Sequence, residues 1–230
     1  MKPLIFIPSP RDIPEFIDSV KLLTKYDKFW VKHDAETTAY AKGRKFFLSS
    51  EKNYTHFVIL PDDLIVTQDH IEQLIEDIKQ NDYQIISGIT NIDSKPIHYG
   101  KYCVAKELPP LDDLTLDSYN WMDESYRDRW LRMYEEPIIQ MKHIGFPLVF
   151  IRRDVIETLE FRLQPRYTSC MDLQFCIDCD NLGIPIFVDL RVVGHHLKKA
   201  DGVYDYWGLA TKNIISKFEE ANPSESPTIP

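Results

Sequence analysis

The chain has 230 residues, of which 36 are acidic and 27 basic, for a formal net charge of -9. This length allows one large domain or two small ones. Because no linker rich in Pro, Gly or Ser interrupts the chain before its C-terminal tail, we expect one domain. The negative charge disfavours nucleic acid as a partner. No apolar run reaches the roughly 18 residues of a membrane span.

The N-terminal segment MKPLIFIPSPRD contains a short apolar run with prolines inside it. The run is too short for a signal peptide, and no small-residue cleavage site follows it. We therefore expect a cytoplasmic protein.

Four cysteines occur, at positions 103, 170, 176 and 179. They do not make a disulfide framework in a chain of this length. Cys176 and Cys179 have the spacing of a zinc or redox pair, but the chain has no second such pair. We favour small core residues over a metal site.

Short apolar runs alternate with amphipathic segments over the first 90 residues. Runs typical of buried strands occur at residues 4–7, 29–31, 57–60 and 84–89. Helices are predicted after Asp12, which stands three residues before Glu15 as in a capping box, and from residue 37 or 38 to Leu48. The strongest helix pattern follows Thr67, with apolar residues at positions 71, 74, 75 and 78. This alternation predicts an α/β sheet covered by helices on both faces.

The pattern loosens between residues 101 and 136 and then resumes. The aromatic and charged segment SYNWMDESYRDRWLRMYEE, residues 118–136, predicts an amphipathic helix on the sheet; contact with substrate or with a membrane surface is the alternative. Later strands are predicted at residues 148–151 and 186–188. Further helices are predicted around residues 155–159, from 172 to 183 and from 205 to 220, before a disordered tail.

Two adjacent aspartates, Asp62 and Asp63, end the predicted strand in the stretch FVILPDDLIV. Ligands of open α/β sheets bind beyond the carboxyl ends of the strands. Adjacent carboxylates repel each other unless a cation or hydrogen-bond donors lie between them and a ligand, and oxygen ligands suit Mg²⁺ or Mn²⁺. The pair indicates a metal site, with a solvated turn or a helix cap as the alternative.

Residues at the ends of other strands would meet the aspartates if the sheet is parallel. They are residues 8–10, His33, Asp34, Asn91, Gly145, His195 and His196. The two histidines precede Lys198 and Lys199, so a metal ligand would lie beside charges that neutralise phosphate. A packed or capping role for the histidines is the alternative.

In this order the motifs resemble glycosyltransferases of the GT-A fold, most of all the small family 2 type enzymes that use nucleotide-sugar donors. The resemblance covers about residues 3 to 200. It implies a single GT-A-type, Rossmann-like α/β domain with a mixed, mainly parallel central sheet flanked by helices. That domain would span residues 1–220, with a nucleotide-binding half at 1–100 and an acceptor-side half at 101–200. Residues 221–230 would form the tail.

The resemblance assigns nucleotide contacts to the first half of the chain. The strand IFIPSP would open the nucleotide pocket with Pro8 and Ser9, and Asp34 would reach the base. Arg44, in the segment AYAKGRKFF, would lie near the nucleotide. Asp62 would approach the ribose.

Metal binding and catalysis are implied for four other residues. FVILPDD takes the position of the family's Asp-x-Asp motif, so Asp63 would hold the metal that bridges the diphosphate. A late histidine completes metal binding in many relatives, which suits His196 or His195. The segment SCMDLQFCIDCDNLG would open the helix that carries the catalytic base, Asp172.

The acceptor side and three departures complete the resemblance. The segment HIGFPLVFIRRDVIETL, which contains Gly145, resembles the family's strand and helix near the acceptor. Pro61 stands where the first aspartate of the metal motif is expected, and Met171 replaces the usual glutamate before the base. The Gln-x-x-Arg-Trp motif of processive synthases is absent, which favours transfer of a single sugar.

The sequence thus predicts a metal-dependent hexosyltransferase that moves one sugar, with inversion, from a nucleotide-diphosphate sugar to a glycan, lipid or protein acceptor. Asp172 would deprotonate the acceptor hydroxyl, while Mn²⁺ or Mg²⁺, with Lys198 or Lys199, would stabilise the leaving diphosphate. One alternative is a metal-dependent nucleotidyltransferase or nucleotide-sugar hydrolase, although PSPRD lacks the glycines of a phosphate loop. Another is a nucleotide-sugar-binding protein without catalysis.

Overall fold

The computed structural model describes residues 1–90, 101–109, 121–123, 132–164, 171–200 and 203–206. The strands are β1 (Pro3–Ser9), β2 (Asp27–Lys32), β3 (His56–Ile59), β4 (Leu64–Ile65), β5 (Ile85–Ile89), β6 (Lys101–Ala105), β7 (Trp121–Asp123), β8 (Ile138–Met141), β9 (His143–Ile144), β10 (Val149–Arg152), β11 (Ile186–Val193), β12 (His195–Ala200) and β13 (Val203–Tyr206). The helices are α1 (Pro14–Leu22), α2 (Glu36–Ser49), α3 (Gln68–Asn81), α4 (Arg153–Thr158) and α5 (Met171–Asn181). Within the described ranges, no helix has the length and apolar composition needed to cross a bilayer.

Seven strands form a central sheet in the order β2-β1-β3-β10-β5-β11-β8. β1 is parallel to both β2 and β3, and β11 is parallel to β5. β10 runs antiparallel between β3 and β5, and β8 runs antiparallel to β11 at the edge. The mixed, mainly parallel sheet that the sequence predicts is therefore confirmed.

Apolar side chains cover both faces of this sheet, because successive residues of a strand point to opposite sides. In β1, Leu4 and Phe6 belong to one buried cluster, whereas Ile5 and Ile7 belong to the other. Helices α2, α4 and α5 pack into the first cluster, and α1 and α3 into the second. Each fully buried side chain of this kind stabilises the fold by about 1.5–3 kcal/mol relative to an exposed one. The predicted helix layers on both faces are confirmed.

The predicted helix starts are confirmed for α3 and wrong for α1. The Thr67 hydroxyl accepts a hydrogen bond from the His70 N–H at 3.3 Å, and the Thr67 N–H donates to the His70 imidazole at 3.4 Å. Asp12 does not cap α1, because the helix begins two residues later at Pro14, whose fixed φ suits a first helical position. The Asp12 carboxylate instead pairs with Lys32 at 3.0 Å.

Two small sheets lie beside the central one, in the orders β13-β12-β4 and β7-β6-β9. The helix predicted from residue 205 is wrong at its start, because β13 pairs with β12 there. The helix predicted over residues 118–136 is wrong at 121–123, which form β7, although residues 132–135 are helical. Asn91, residues 207–220 and the tail lie outside the described residues.

The cysteines of α5 are core residues, as the sequence favours. Cys176 and Cys179 are fully buried. Burial raises the pKa of both thiols, that of Cys179 to about 12. A thiol that stays protonated is a poor nucleophile and a poor metal ligand.

Candidate active site

Several of the predicted site residues meet at one edge of the central sheet, where the parallel strands end. Because β10 is antiparallel, its first residue, Val149, lies opposite Ile59 at the end of β3. The Gly145 segment, which precedes β10, therefore reaches the same edge as Asp62 and Asp63, which follow β3.

The two aspartates are the central residues of a tight turn between β3 and β4. The Leu64 N–H donates to the Pro61 carbonyl at 3.3 Å, the i to i+3 bond of a β-turn. Pro61, which replaces the expected first aspartate, thus begins the turn that directs both carboxylates to the sheet edge. The sequence leaves a solvated turn as the alternative to a metal site; the structure forms a turn here, but Asp62 is buried in it.

Asp62 is buried, with 1% of its side chain exposed, and Arg11 neutralises it. The Arg11 backbone N–H donates to Asp62 Oδ2 at 3.0 Å, and its Nε donates to Oδ1 at 3.1 Å. Arg11 Nη2 also pairs with Oδ1. Ser9 fixes this segment, because its hydroxyl donates to the Arg11 carbonyl at 2.6 Å. Pro8 and Ser9, predicted to open the nucleotide pocket, are the buried last two residues of β1.

Asp63 contacts two groups through one oxygen. His196 Nε2 lies 3.4 Å from Asp63 Oδ2, and Arg11 Nη2 lies 3.0 Å from the same atom. The Leu197 N–H donates to the Asp63 carbonyl at 2.6 Å, which joins β12 to the turn. Gly194 permits this approach, since a Cβ there would lie 2.6 Å from the Leu64 side chain.

His195 and His196 are not equivalent, although the sequence treats both as candidate ligands. In β12, His196 lies opposite Leu64 and His195 opposite Ile65, so alternation directs their side chains to opposite faces. His196 reaches Asp63, whereas His195 lies near enough to His70 to lower the pKa of that imidazole, after the larger effect of burial. The structure brings only His196 to the aspartates.

A divalent cation fits this arrangement as a two-ligand site. Two ligands of an octahedral ion at about 2.1 Å lie about 3 Å apart, close to the 3.4 Å between Asp63 and His196. Among the described residues, no group of three or more His, Cys, Asp or Glu could hold a metal. Mg²⁺ is commonly held by one or two carboxylates together with substrate phosphates and water. The protein ligands would therefore be Asp63 and His196.

Asp172 lies at the first turn of α5, at the acceptor side of the same edge. Its Oδ1 accepts a hydrogen bond from the Leu173 N–H at 2.8 Å. Its Oδ2 faces Gly145, where a Cβ would lie 3.6 Å away. Burial raises the pKa of Asp172 to about 6, although 32% of the side chain is exposed. The predicted base and Gly145 are therefore neighbours, and the base holds its proton more tightly than an ordinary aspartate.

His143 is the imidazole neighbour of Asp172, and its charge state affects how tightly that carboxyl holds its proton. Its Nε2 lies 3.9 Å from Asp172 Oδ2, but burial lowers the pKa of His143 to about 3. The imidazole is therefore neutral at pH 7 and supplies no positive charge to the carboxylate.

Tyr40 lies near both the Asp62–Asp63 turn and Asp172. The Tyr40 side chain is buried, and its pKa is raised first by burial and then by the charges of four carboxyl groups. These carboxyl groups belong to Glu36, Asp172, Asp63 and Asp62. Glu36 begins α2 one turn before Tyr40, and its own pKa is raised by burial and by Asp172. The Asp62–Asp63 turn and Asp172 thus lie within electrostatic range of one aromatic ring.

The structure does not bring Arg44 to the aspartates. Its Nε donates to the carbonyls of Ile156 and Leu159, at 3.0 Å each, so the guanidinium binds the C-terminal end of α4. Those carbonyls attract a cation because the end of a helix leaves them without partners in the helix. Asp34 lies two residues beyond β2, where its carboxylate pairs with Lys42 at 2.7 Å.

Lys198 and Lys199 lie in β12, next to His196, and pair through their backbone with β13. Their side chains are outside the described structure, so their contact with phosphate stays a prediction.

Sequence reasoning missed Arg11, Glu36, Tyr40 and His143. Each of the four had a sign in the sequence. Glu36 and Tyr40 are four residues apart and share a helix face. Arg11 follows the first strand closely enough to reach a charge at the next strand's end. For His143, its position two residues before Gly145 was the available sign.

No protein-family model and no curated protein sequence matches the chain. Among solved structures, the chain is similar to A197 from STIV, with a TM-score of 0.60, 14% identity, and coverage of 86% of this chain and 87% of that chain. It is also similar to GalNAc-T7, solved with UDP, GalNAc and Mn²⁺, with a TM-score of 0.56, 10% identity, and coverage of 88% of this chain and 45% of that chain.

A third structure, CMP:2-keto-3-deoxy-manno-octonic acid synthetase complexed with CTP, covers 96% of this chain at 12% identity, but its TM-score is 0.47. At such identities a likeness concerns the fold alone. The chain therefore has an α/β fold with a mixed central seven-stranded sheet, similar to GT-A-like structures.

Proposed function

We propose that the protein is a metal-dependent glycosyltransferase that moves one sugar from a nucleotide-diphosphate donor to an acceptor hydroxyl, with inversion at the anomeric carbon. The observation that carries the proposal is the raised pKa of Asp172, about 6, at the sheet edge that also holds Asp62 and Asp63. A carboxylate with a pKa near neutrality can accept a proton during the reaction. The GT-A-like fold supports this class of enzyme.

Asp172 is the proposed general base. Its Oδ2 faces Gly145 and would lie 3.6 Å from a Cβ at that position. The acceptor hydroxyl would donate a hydrogen bond to this oxygen and transfer its proton as it attacks the sugar. Neutral His143 keeps the carboxylate basic, because a charged imidazole in its place would lower the pKa of Asp172.

Asp63 and His196 are the proposed ligands of Mn²⁺ or Mg²⁺. When bound, the cation supplies positive charge for the departing diphosphate. Asp62 positions Arg11 beside these ligands through its three hydrogen bonds, so that a guanidinium also faces the diphosphate. Ser9 anchors the Arg11 backbone in this position.

Donor and acceptor are proposed to bind on opposite sides of Tyr40. The nucleotide would lie across the ends of β1 and β3, with Asp34 towards the base, and a glycan, lipid or protein hydroxyl would enter beside Gly145. We retain a cytoplasmic location and peripheral contact with a membrane surface as parts of the same proposal.

A ligand screen by thermal unfolding tests the proposal. UDP, GDP, CMP and their sugars would each be added with and without Mn²⁺, because a ligand that binds only the native state raises the unfolding temperature. We expect one nucleotide diphosphate and its sugar to stabilise the protein, and Mn²⁺ to increase the effect. The Asp63→Asn variant should lose the Mn²⁺ increment. A response to none of these ligands would contradict the proposal.

A further inference from the structure

Arg11 lies on the atom that we assign to the cation. Its Nη2 is 3.0 Å from Asp63 Oδ2, and His196 Nε2 is 3.4 Å from that same oxygen. A divalent ion shared by Asp63 and His196 would lie about 2 Å from Oδ2, so it would come close to the guanidinium. Two positive charges at that distance repel each other.

The guanidinium is bound asymmetrically. Asp62 receives three donors of Arg11, namely the backbone N–H, Nε and Nη2, whereas the contact of Arg11 with Asp63 is made by Nη2, 3.0 Å from Oδ2. Asp62 is 1% exposed and the Arg11 side chain 50% exposed. The head group can therefore turn away from Asp63 while its Nε and backbone N–H stay on Asp62.

We propose that Arg11 is an internal cation that occupies Asp63 in the ligand-free protein and yields it to a divalent cation. Asp62 is then the permanent partner of Arg11, and Asp63 is exchanged between Arg11 and the metal. This inference rests on the metal site of the proposed function and adds a regulating residue to it. Its consequence is that Mn²⁺ alone binds weakly, because it must first displace Nη2.

The chain also explains why one carboxylate remains for the metal. Pro61 stands where the related motif has its first acidic residue, and Asp62 is buried under Arg11. Of the two aspartates, Asp63 is the more exposed, with 17% of its side chain accessible to solvent. Competition for this carboxylate therefore decides whether the cation binds.

Mn²⁺ binding without any nucleotide tests the inference, measured by isothermal titration calorimetry. Arg11→Ala should bind Mn²⁺ about tenfold more tightly than the unmodified protein, since a charge-assisted contact to Asp63 no longer has to be broken. Because Arg11→Ala leaves Asp62 buried without its partner and can impair folding, the double variant Arg11→Ala with Asp62→Asn is measured beside it. The double variant keeps the net charge, Asp63 and His196, and should also gain about tenfold.

Lys32→Ala is the matched control, because it removes a positive charge near the same edge that pairs with Asp12 instead. It should change Mn²⁺ affinity by less than about twofold. Unchanged or weaker Mn²⁺ binding in the double variant would overturn the inference. An equal gain in Lys32→Ala would overturn it too, because the effect would then be one of net charge. The absence of nucleotide and sugar keeps this result independent of the transferase activity.

Discussion

Asp62 and Asp172 lie at the same edge of the sheet, but their neighbours are of opposite kinds. Asp62 receives three hydrogen-bond donors from Arg11 and is almost completely buried. Asp172 accepts the Leu173 N–H, and among the described residues no lysine or arginine forms an ion pair with it. Its imidazole neighbour, His143, is neutral.

The difference separates two chemical tasks. A carboxylate that is bound by a guanidinium positions that guanidinium, whereas a carboxylate that burial leaves without a counter-charge takes up a proton more readily. Tyr40 is buried within electrostatic range of both. Substitution of Asp172 should therefore affect mainly catalysis, and substitution of Arg11, the partner of Asp62, should affect mainly folding.

Asp172→Asn should have the largest effect, a loss of sugar transfer of about 10²–10⁴-fold, because it removes the general base. In the unmodified protein, the rate should rise with pH through about 6, as Asp172 loses its proton. The pH profile of kcat/KM measures this, and donor binding by calorimetry serves as the control. Transfer at full rate by a variant that still binds donor would contradict the role of Asp172.

Arg11→Ala should leave Asp62 as a buried charge without a cation beside it. We expect the free energy of unfolding to fall by about 2 kcal/mol, less than the 3–5 kcal/mol of a fully buried pair, because half of Arg11 is exposed. Urea unfolding measures this loss.

The double variant Arg11→Ala with Asp62→Asn is the control, and it should recover about half of the loss, since no buried charge remains. Equal stability of the single variant and the unmodified protein would show that Arg11 does not neutralise Asp62.

Asp172→Asn should stabilise the folded protein at pH 7 by about 1–2 kcal/mol, after allowance for its partial exposure. The raised pKa means that the folded state binds the proton more tightly than the unfolded state, so stability is lost as pH rises from about 4 to about 6. The gain should be absent below about pH 4, where both states are protonated. Urea unfolding at several pH values measures it, and a gain independent of pH would assign it to another cause.

His196→Ala should weaken Mn²⁺ binding about fivefold, because it removes one of two ligands. His195→Ala is the matched control: it lies next in the chain but faces His70, and it should leave Mn²⁺ affinity unchanged. Electron paramagnetic resonance of free Mn²⁺, recorded with pyrophosphate present, measures the affinity of both variants. Equal losses of Mn²⁺ affinity in the two variants would contradict the assignment of His196, and not His195, as the metal ligand.

Most of the fold could be predicted from the sequence, because the spacing of apolar residues and the residues that cap a helix are features of short stretches of chain. The runs at β1, β3 and β5 are buried on both faces, and the apolar positions of α3, namely Ile71, Leu74, Ile75 and Ile78, are all buried. The errors came where tertiary pairing decided the outcome. The strand Val203–Tyr206 forms because β12 is beside it, and the Asp12 carboxylate pairs with Lys32 while α1 begins two residues later, at Pro14.

The candidate site could be predicted only as far as strand ends mark it. Asp62, Asp63, Gly145 and His196 follow from that rule, and the structure brings them to one edge. Arg44 does not lie at this edge, because its guanidinium binds carbonyls at the end of α4. These carbonyls are more than 100 residues away in sequence. Arg11 was missed although it follows the first strand closely, because its partner Asp62 is 51 residues distant in sequence.

The identity of the phosphate product tests the central proposal most directly. Purified protein would be incubated with the nucleotide sugar that stabilises it, an acceptor mixture and Mn²⁺, and the released nucleotide would be identified by phosphorus NMR. A glycosyltransferase that uses Asp172 as its base should release nucleoside diphosphate, and Asp172→Asn should release none. Release of nucleoside monophosphate or pyrophosphate would contradict it and assign the site to a hydrolase or a nucleotidyltransferase.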